Sequence, residues 1–349
     1  MAQLSGHLCV FNLKATDMKT KICMLILLFL PTWMQGQNSS LERLDVNLNS
    51  VKYPHEVHYL NLHFQHQDLK MAYMDIQSQS PNNKNIVLLH GKNFNGAYWE
   101  TTIRELVKNG FRVIVPDQIG FGKSTKPLHF QYSFQIMAHT TKILLDRLGI
   151  SRTAVLGHSM GGMLATRFAL MYPEMTQKLI LENPIGLEDY LQMVPYQTVG
   201  KWFNDELAQT YEKLKEYQLR YYYDNKWKPE YDRWLNLLAG WTLDDDYELI
   251  AWNAALTTDM IYTHPVVHEF HLVKSPTLLI IGTRDRTALG KSLAPPEVQK
   301  TMGLYNQLGK KTQEKIPNSQ LVELEGIGHL PHIESFGQFI EPLLKFLKE

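Results

Sequence analysis

The spacing of hydrophobic and polar positions changes several times along the chain, and each change predicts an element. From about Val57, "VHYLNLHF" and "LKMAYMDI" alternate apolar with polar residues and predict an antiparallel pair of strands. "NIVLLHG" is a short continuous apolar run, the pattern of a buried strand. "AYWETTIRELVKNG" shifts to helical spacing and stops at Gly110, a favourable helix terminator. "FRVIVPD", "TAVLGH" and "KLILEN" then predict strands, with helices over "SFQIMAHTTKILLDRLGI" and "MGGMLATRFALMYP" between them.

The rhythm breaks after Pro184. From about Ile185 to His268 no strand pattern appears. "KWFNDELAQTYEKLKEYQLRYYY" places Phe203, Leu207, Tyr211, Leu214 and Leu219 at near-helical spacing. Strand character returns with "PTLLIIGTRD" and "SQLVELEG", and a final helix is predicted from about Phe336 to Leu347. Strands alternating with helices imply an α/β fold with a mostly parallel sheet covered on both faces. The expected organisation is a core of residues 45–184 and 269–349 carrying a helical cap, 185–268.

Composition narrows this picture only at the margins. The chain has 349 residues, 44% hydrophobic and 20% charged, which suits a globular protein. Lys plus Arg and Asp plus Glu both total 35, and no basic stripe stands out, which argues against nucleic acid as a partner. Residues 1–36 are expected to be a signal peptide: Lys19 and Lys21 precede the apolar run Ile22–Leu30, followed by Pro31 and Gly36. The run is too short to span a bilayer comfortably, so export to the periplasm or the medium, with no stable membrane span after cleavage, is the expectation. Met18 opens a tidier signal than Met1. Both cysteines, Cys9 and Cys23, lie in this leader, so the mature chain would form no disulfide. Asn38-Ser39-Ser40 matches a glycosylation sequon by chance, close to the new terminus.

Candidate chemistry centres on Gly157-His158-Ser159-Met160-Gly161. The pentapeptide alone is weak evidence, but here it follows the buried run "AVLG" and opens a helix. A tight strand-to-helix turn of this kind exposes a nucleophilic serine; the competing view is a serine that caps the helix. A serine hydroxyl needs a histidine base oriented by a carboxylate, in the chain order Ser, acid, His. Asp285 follows the strand of "TLLIIGTRD", and His329 follows a Gly-Ile-Gly turn beyond the last strand. His332 competes for the base but lies past Pro331; Glu182, next to Asn183 after the preceding strand, stands at an alternative place for the acid, but Glu182 reads as the last residue of its strand, so Asp285 is preferred. The backbone N–H of Met160 is one expected oxyanion donor; in the loop "LLHGKNFNG" Lys92 or Asn93 can present the second, with Lys92 favoured and its ammonium idle. His90 is expected to order that loop rather than to transfer protons.

With "HGKNFNGAYW", "PDQIGFGKS", "GHSMGG", "GTRD" and "GIGH" in this order, the chain resembles the α/β-hydrolase family, specifically its cap-bearing serine members. The resemblance runs from about Val57 to the C-terminus. It implies an eight-stranded, mostly parallel sheet, a lid after the sixth strand, the triad Ser159, Asp285 and His329, and a structural Asp117 that tightens its loop. It implies no cofactor. Serine at the elbow argues against the haloalkane dehalogenases and epoxide hydrolases that resemble this pattern but use aspartate. The carbon–carbon bond hydrolases of ring-cleavage products share "SMGG" and the cap placement. They commonly carry Gly-Pro-Gly in the oxyanion loop and a tryptophan soon after the histidine, and this chain has neither.

Aromatic residues in 185–268, including Trp202, Trp227, Trp234, Trp241 and Trp252, are expected mostly to form the cap's own core and in part to line an apolar pocket. His55, His58, His63 and His66 cluster near the first strand, but their spacing matches no strong ligand pattern, so no metal site is expected. The leading expectation is a serine esterase acting on small to medium apolar esters. The alternatives are hydrolysis of a carbon–carbon bond in a dienoic keto acid, with the same triad, and a ligand-binding homologue without fast chemistry.

Overall fold

A computed structural model of the chain describes residues 41–349. The leader 1–36, with both cysteines, and the sequon at Asn38 lie outside the described residues. Eight strands form one sheet: β1 His58–Phe64, β2 Gln67–Ile76, β3 Asn85–Leu89, β4 Arg112–Pro116, β5 Thr153–His158, β6 Thr176–Glu182, β7 Thr277–Gly282 and β8 Ser319–Leu324. Their spatial order is β1-β2-β4-β3-β5-β6-β7-β8. β2 runs antiparallel to β1 and β4, and the other neighbours are parallel.

The continuous apolar runs have a direct structural cause. In β3, Val87 and Leu89 pack into the hydrophobic cluster on one face, and Ile86 and Leu88 into the cluster on the other. β7 does the same with Leu279 and Ile281 against Leu278 and Ile280. Both faces are covered, so only the first position of each strand, Asn85 and Thr277, carries a polar side chain.

The helices are α1 Glu100–Lys108, α2 Phe134–Arg147, α3 Met160–Met171, α4 Tyr190–Met193, α5 Val199–Leu207, α6 Tyr211–Tyr221, α7 Asp232–Trp241, α8 Tyr247–Thr263, α9 Pro296–Gln299, α10 Tyr305–Lys315, α11 Pro331–Glu334 and α12 Phe336–Lys348. α2 and α3 contribute Phe134, Leu144 and Phe168 to one cluster; α1 and α12 contribute Ile103, Leu106, Phe339 and Leu343 to the other.

The stretch between β6 and β7 is helical, carrying α4–α8. The long periodic segment beginning at Lys201 divides: α5 ends at Leu207, and Thr210 starts α6 by accepting the Lys213 N–H. Some of its aromatics pack on one another, Phe203 on Trp252 at 5.7 Å and Tyr223 on Tyr231 and Trp227 at 3.6 and 5.5 Å, and others reach the rest of the fold. Trp241 packs with Leu44, Leu48 and Ile250 and donates Nε1–H to the Asp45 carbonyl, and Trp252 donates to the Leu128 carbonyl. Tyr222, Tyr223, Tyr231 and Trp234 join the sheet-face cluster that also holds Phe94 and Tyr98. The aromatics of these helices thus pack partly on one another, as expected, and partly fasten the helices to the body of the fold.

Among the described residues, no helix is long and apolar enough to cross a membrane. Nor do three or more His, Cys, Asp or Glu side chains gather there as a metal site would require. His63 is paired with Asp68, and the His58 ring lies 5.5 Å from that of Tyr73.

Candidate active site

Ser159 sits in the turn between β5 and α3 with φ 56° and ψ −121°, a conformation few L-residues adopt. Two flanking glycines make room for it. A Cβ on Gly157 would lie 2.0 Å from the Gly161 carbonyl oxygen, and one on Gly161 would lie 2.2 Å from that of Leu89. No side chain fits at either position, so the G-x-S-x-G pattern follows from the sterics of the turn. Ser159 has no side-chain capping bond to its helix, which removes the capping explanation of this serine.

Loops at the C-terminal ends of β7 and β8 bring two partners to the same place. His329 Nδ1–H donates to Asp285 Oδ2 at 2.6 Å, and Ser159 Oγ–H donates to His329 Nε2 at 3.0 Å. The proton positions follow from the acceptors: the carboxylate can only accept, so Nδ1 carries the hydrogen and Nε2 presents a lone pair. Asp285 and His329 are buried, and Ser159 is 7% exposed. Burial opposes charge on Asp285, yet His329, the Asn183 amide and the Thr287 N–H together hold its pKa below the ordinary carboxylate value. Asn183 donates Nδ2–H to Asp285 Oδ2 at 2.8 Å and accepts the Gly282 N–H at 2.8 Å, tying the ends of β6 and β7 together. Nothing in the sequence around Asn183 signals this amide role, which depends on β6 and β7 lying side by side.

The alternatives form a separate pair. Glu182 Oε1 accepts from His332 Nδ1 at 2.8 Å and from the His332 backbone N–H at 2.9 Å. The His332 ring stacks on Trp99, with centroids 4.4 Å apart.

The loop after β3 lies against Ser159: a Cβ on Gly91 would be 3.1 Å from the serine Cβ. His90 accepts the Gln118 N–H at Nε2 and donates from Nδ1 to the Gly91 carbonyl, which orders this turn. Lys92 and Met160, the two expected oxyanion donors, flank the serine from this loop and from the first turn of α3. Among the described residues, neither backbone N–H is bonded to a protein acceptor. The Lys92 ammonium is not idle. It pairs with Glu206 of α5 at 2.7 Å, linking the loop to the helices between β6 and β7. Asp117 is a loop fastener: it accepts from Tyr53 Oη–H, Gly96 N–H and Lys123 N–H at 2.6–2.7 Å.

Beside Lys92 and Asn93 opens a cavity of about 430 Å³ that also includes Lys213, Tyr217, Arg220 and Tyr221 in its walls. None of the tryptophans lines it. Tyr222 stacks on the His329 ring, with centroids 4.9 Å apart.

Known proteins agree with this architecture. The sequence pattern of the alpha/beta hydrolase fold matches residues 84–336. A probable hydrolytic enzyme from Pseudomonas aeruginosa PAO1 superimposes with a TM-score of 0.86 at 46% identity, covering 87% of this chain and 98% of that one. A 2-hydroxy-6-oxononadienedioate/2-hydroxy-6-oxononatrienedioate hydrolase of Paraburkholderia phymatum is 30% identical over 75% of this chain and 86% of its own length. A 2-hydroxy-6-oxo-6-phenylhexa-2,4-dienoate hydrolase of Comamonas testosteroni is 33% identical over 143 residues, 40% of this chain and 50% of the relative. The chain thus spans half the length of the Comamonas relative. From the fold, the elbow and these likenesses, the chain belongs to the α/β-hydrolase fold family.

Proposed function

We propose that the protein is a serine hydrolase that cleaves carboxylic esters of small to medium apolar substrates through an acyl-enzyme. The observation that carries this reading is the aligned series Asp285, His329 and Ser159, joined at 2.6 and 3.0 Å at a strained elbow. Ser159 Oγ attacks the ester carbonyl while His329 Nε2 takes its proton. The backbone N–H groups of Lys92 and Met160 stabilise the oxyanion. His329 then protonates the leaving alcohol, and water, activated by the same nitrogen, releases the acid. Asp285 keeps the imidazole in the tautomer that can accept. Tyr217 and Tyr221 in the cavity beside Lys92 would supply apolar contact, and we take the helices of 185–268 as a cap over the site.

A second reading has specific support. Hydrolysis of a carbon–carbon bond in a dienoic keto acid uses the same three residues and needs cations for a carboxylate. Lys213 and Arg220 line the cavity together with Glu206, which pairs with Lys92, and Glu216, and the relatives above are named for such substrates.

The test is Ser159→Ala. Turnover of p-nitrophenyl esters is expected to vanish while the circular dichroism spectrum and melting temperature are retained; unchanged turnover would refute the assignment. Comparing kcat/KM for a p-nitrophenyl butyrate and for a dienoic keto acid separates the two chemistries. Absence of fluorophosphonate labelling at Ser159 in folded protein would instead favour a binding role.

A further inference from the structure

A buried chain of hydrogen bonds joins the loop that carries Lys92 to the loop that carries His329, and it passes through the residue beside the nucleophile. The Gly91 N–H lies 3.0 Å from Tyr98 Oη, Tyr98 Oη lies 3.0 Å from His158 Nδ1, and His158 Nε2 lies 2.7 Å from the His329 carbonyl oxygen. Tyr98 is 3% exposed and His158 is fully enclosed.

Chemistry fixes the direction of every link. The His329 carbonyl can only accept, so His158 Nε2 carries a hydrogen. The Gly91 N–H can only donate, so the Tyr98 oxygen accepts there and its own hydrogen is free to point at His158 Nδ1. Burial, with His329 and His332 close by, pushes the His158 pKa well below the ordinary histidine value, which keeps Nδ1 an acceptor. Burial and the nearby Glu182 push the Tyr98 pKa up, so the hydroxyl keeps its proton.

We propose that Tyr98 and His158 are positioning residues that hold the oxyanion loop and the base in register on either side of Ser159. The proposal rests on the serine-hydrolase reading above. Neither residue touches the reacting atoms. The relay acts because its two ends are the peptide preceding Lys92 and the peptide of His329 itself, so a shift at either end changes the distance between oxyanion donor and base. Small misplacements of this kind cost rate rather than binding.

The experiment compares Tyr98→Phe, His158→Leu and His158→Gln in the full chain, reading kcat, KM, melting temperature and the rate of fluorophosphonate labelling at Ser159. Tyr98→Phe keeps the ring that stacks on Phe94 at 4.8 Å and removes only the hydroxyl. It is expected to lower kcat and the labelling rate about 10- to 100-fold with KM within about twofold. His158→Leu is expected to do the same. His158→Gln can donate to the His329 carbonyl and accept from Tyr98, and is expected to restore kcat to within about fivefold of the parent. Because the links act as a unit, the Tyr98→Phe/His158→Leu double variant should lose little more than either single one. Full kcat in Tyr98→Phe, or equal losses in His158→Gln and His158→Leu, would overturn the relay. If the parent protein does not label, the serine-hydrolase reading itself fails and the relay falls with it. If the parent labels and every folded variant labels equally fast, only the relay fails.

Discussion

Two buried histidine–carboxylate pairs stand at the C-terminal end of the parallel strands. His329 meets Asp285 at 2.6 Å and His332 meets Glu182 at 2.8 Å, each histidine side chain 1% exposed. Their outer nitrogens differ. His329 Nε2 accepts from Ser159, whereas His332 Nε2 has no partner among the described residues. The carboxylates differ in their supports too. Asp285 lies beyond its strand and accepts from His329, Asn183 and the Thr287 N–H. Glu182 ends β6 and spends one oxygen on two bonds to His332, at the start of α11. Burial and pairing are therefore common to both, and reach to a hydroxyl at a strained turn distinguishes the Asp285–His329 pair, the one proposed to work in catalysis, from the Glu182–His332 pair.

Removing each histidine should separate them most widely. His329→Ala is expected to lower kcat on a p-nitrophenyl ester by about 10⁴-fold or more, with the fold intact. His332→Ala leaves the Glu182 carboxyl buried without its partner and should cost about 3 kcal/mol in denaturant unfolding. Its folded fraction should keep kcat within about tenfold. A reversal of the two kinetic results would exchange the roles of the pairs.

Asp285→Asn comes next. All three neighbours of this carboxylate donate, so an amide at 285 must set its own N–H against a donor, either disturbing the support or forcing His329 into the wrong tautomer. A fall in kcat of about 10³- to 10⁴-fold is expected, without a matching rise in KM. Retention of kcat would mean that the imidazole is oriented by something other than Asp285.

How far this comparison could be read from the sequence depended on which contacts are local. Strands buried on both faces write themselves as unbroken apolar runs, so β3, β5 and β7 were legible. α10 was not: "YNQLGKKTQEK" is polar almost throughout and is held by Tyr305, Leu308 and little else that is apolar. Ser159, Asp285 and His329 were legible because each follows a strand in a fixed chain order. The amide of Asn183 was not, since its role exists only once the ends of β6 and β7 lie side by side. The Glu182–His332 pair was half legible. Both residues were recognised as competitors, but that they would satisfy one another is a fact of the folded chain. The same holds for Lys92 and Glu206, 114 positions apart.

The smallest expected effect tests the comparison most sharply. In Glu182→Gln the amide oxygen can take the place of Oε1 and accept both hydrogen bonds from His332. The amide nitrogen then occupies the place of Oε2, which has no partner among the described residues. Burying those unsatisfied N–H donors should cost about 1–2 kcal/mol in unfolding free energy. The altered carboxyl is separated from the reacting atoms by the His158 ring, which lies 5.3 Å from His332 and 4.8 Å from His329. If His332 only props the wall behind the site, kcat should stay within about threefold of the parent. A fall of about 30-fold or more in a folded variant would mean that Glu182 acts on His329 through His158, and that the two pairs work as one unit.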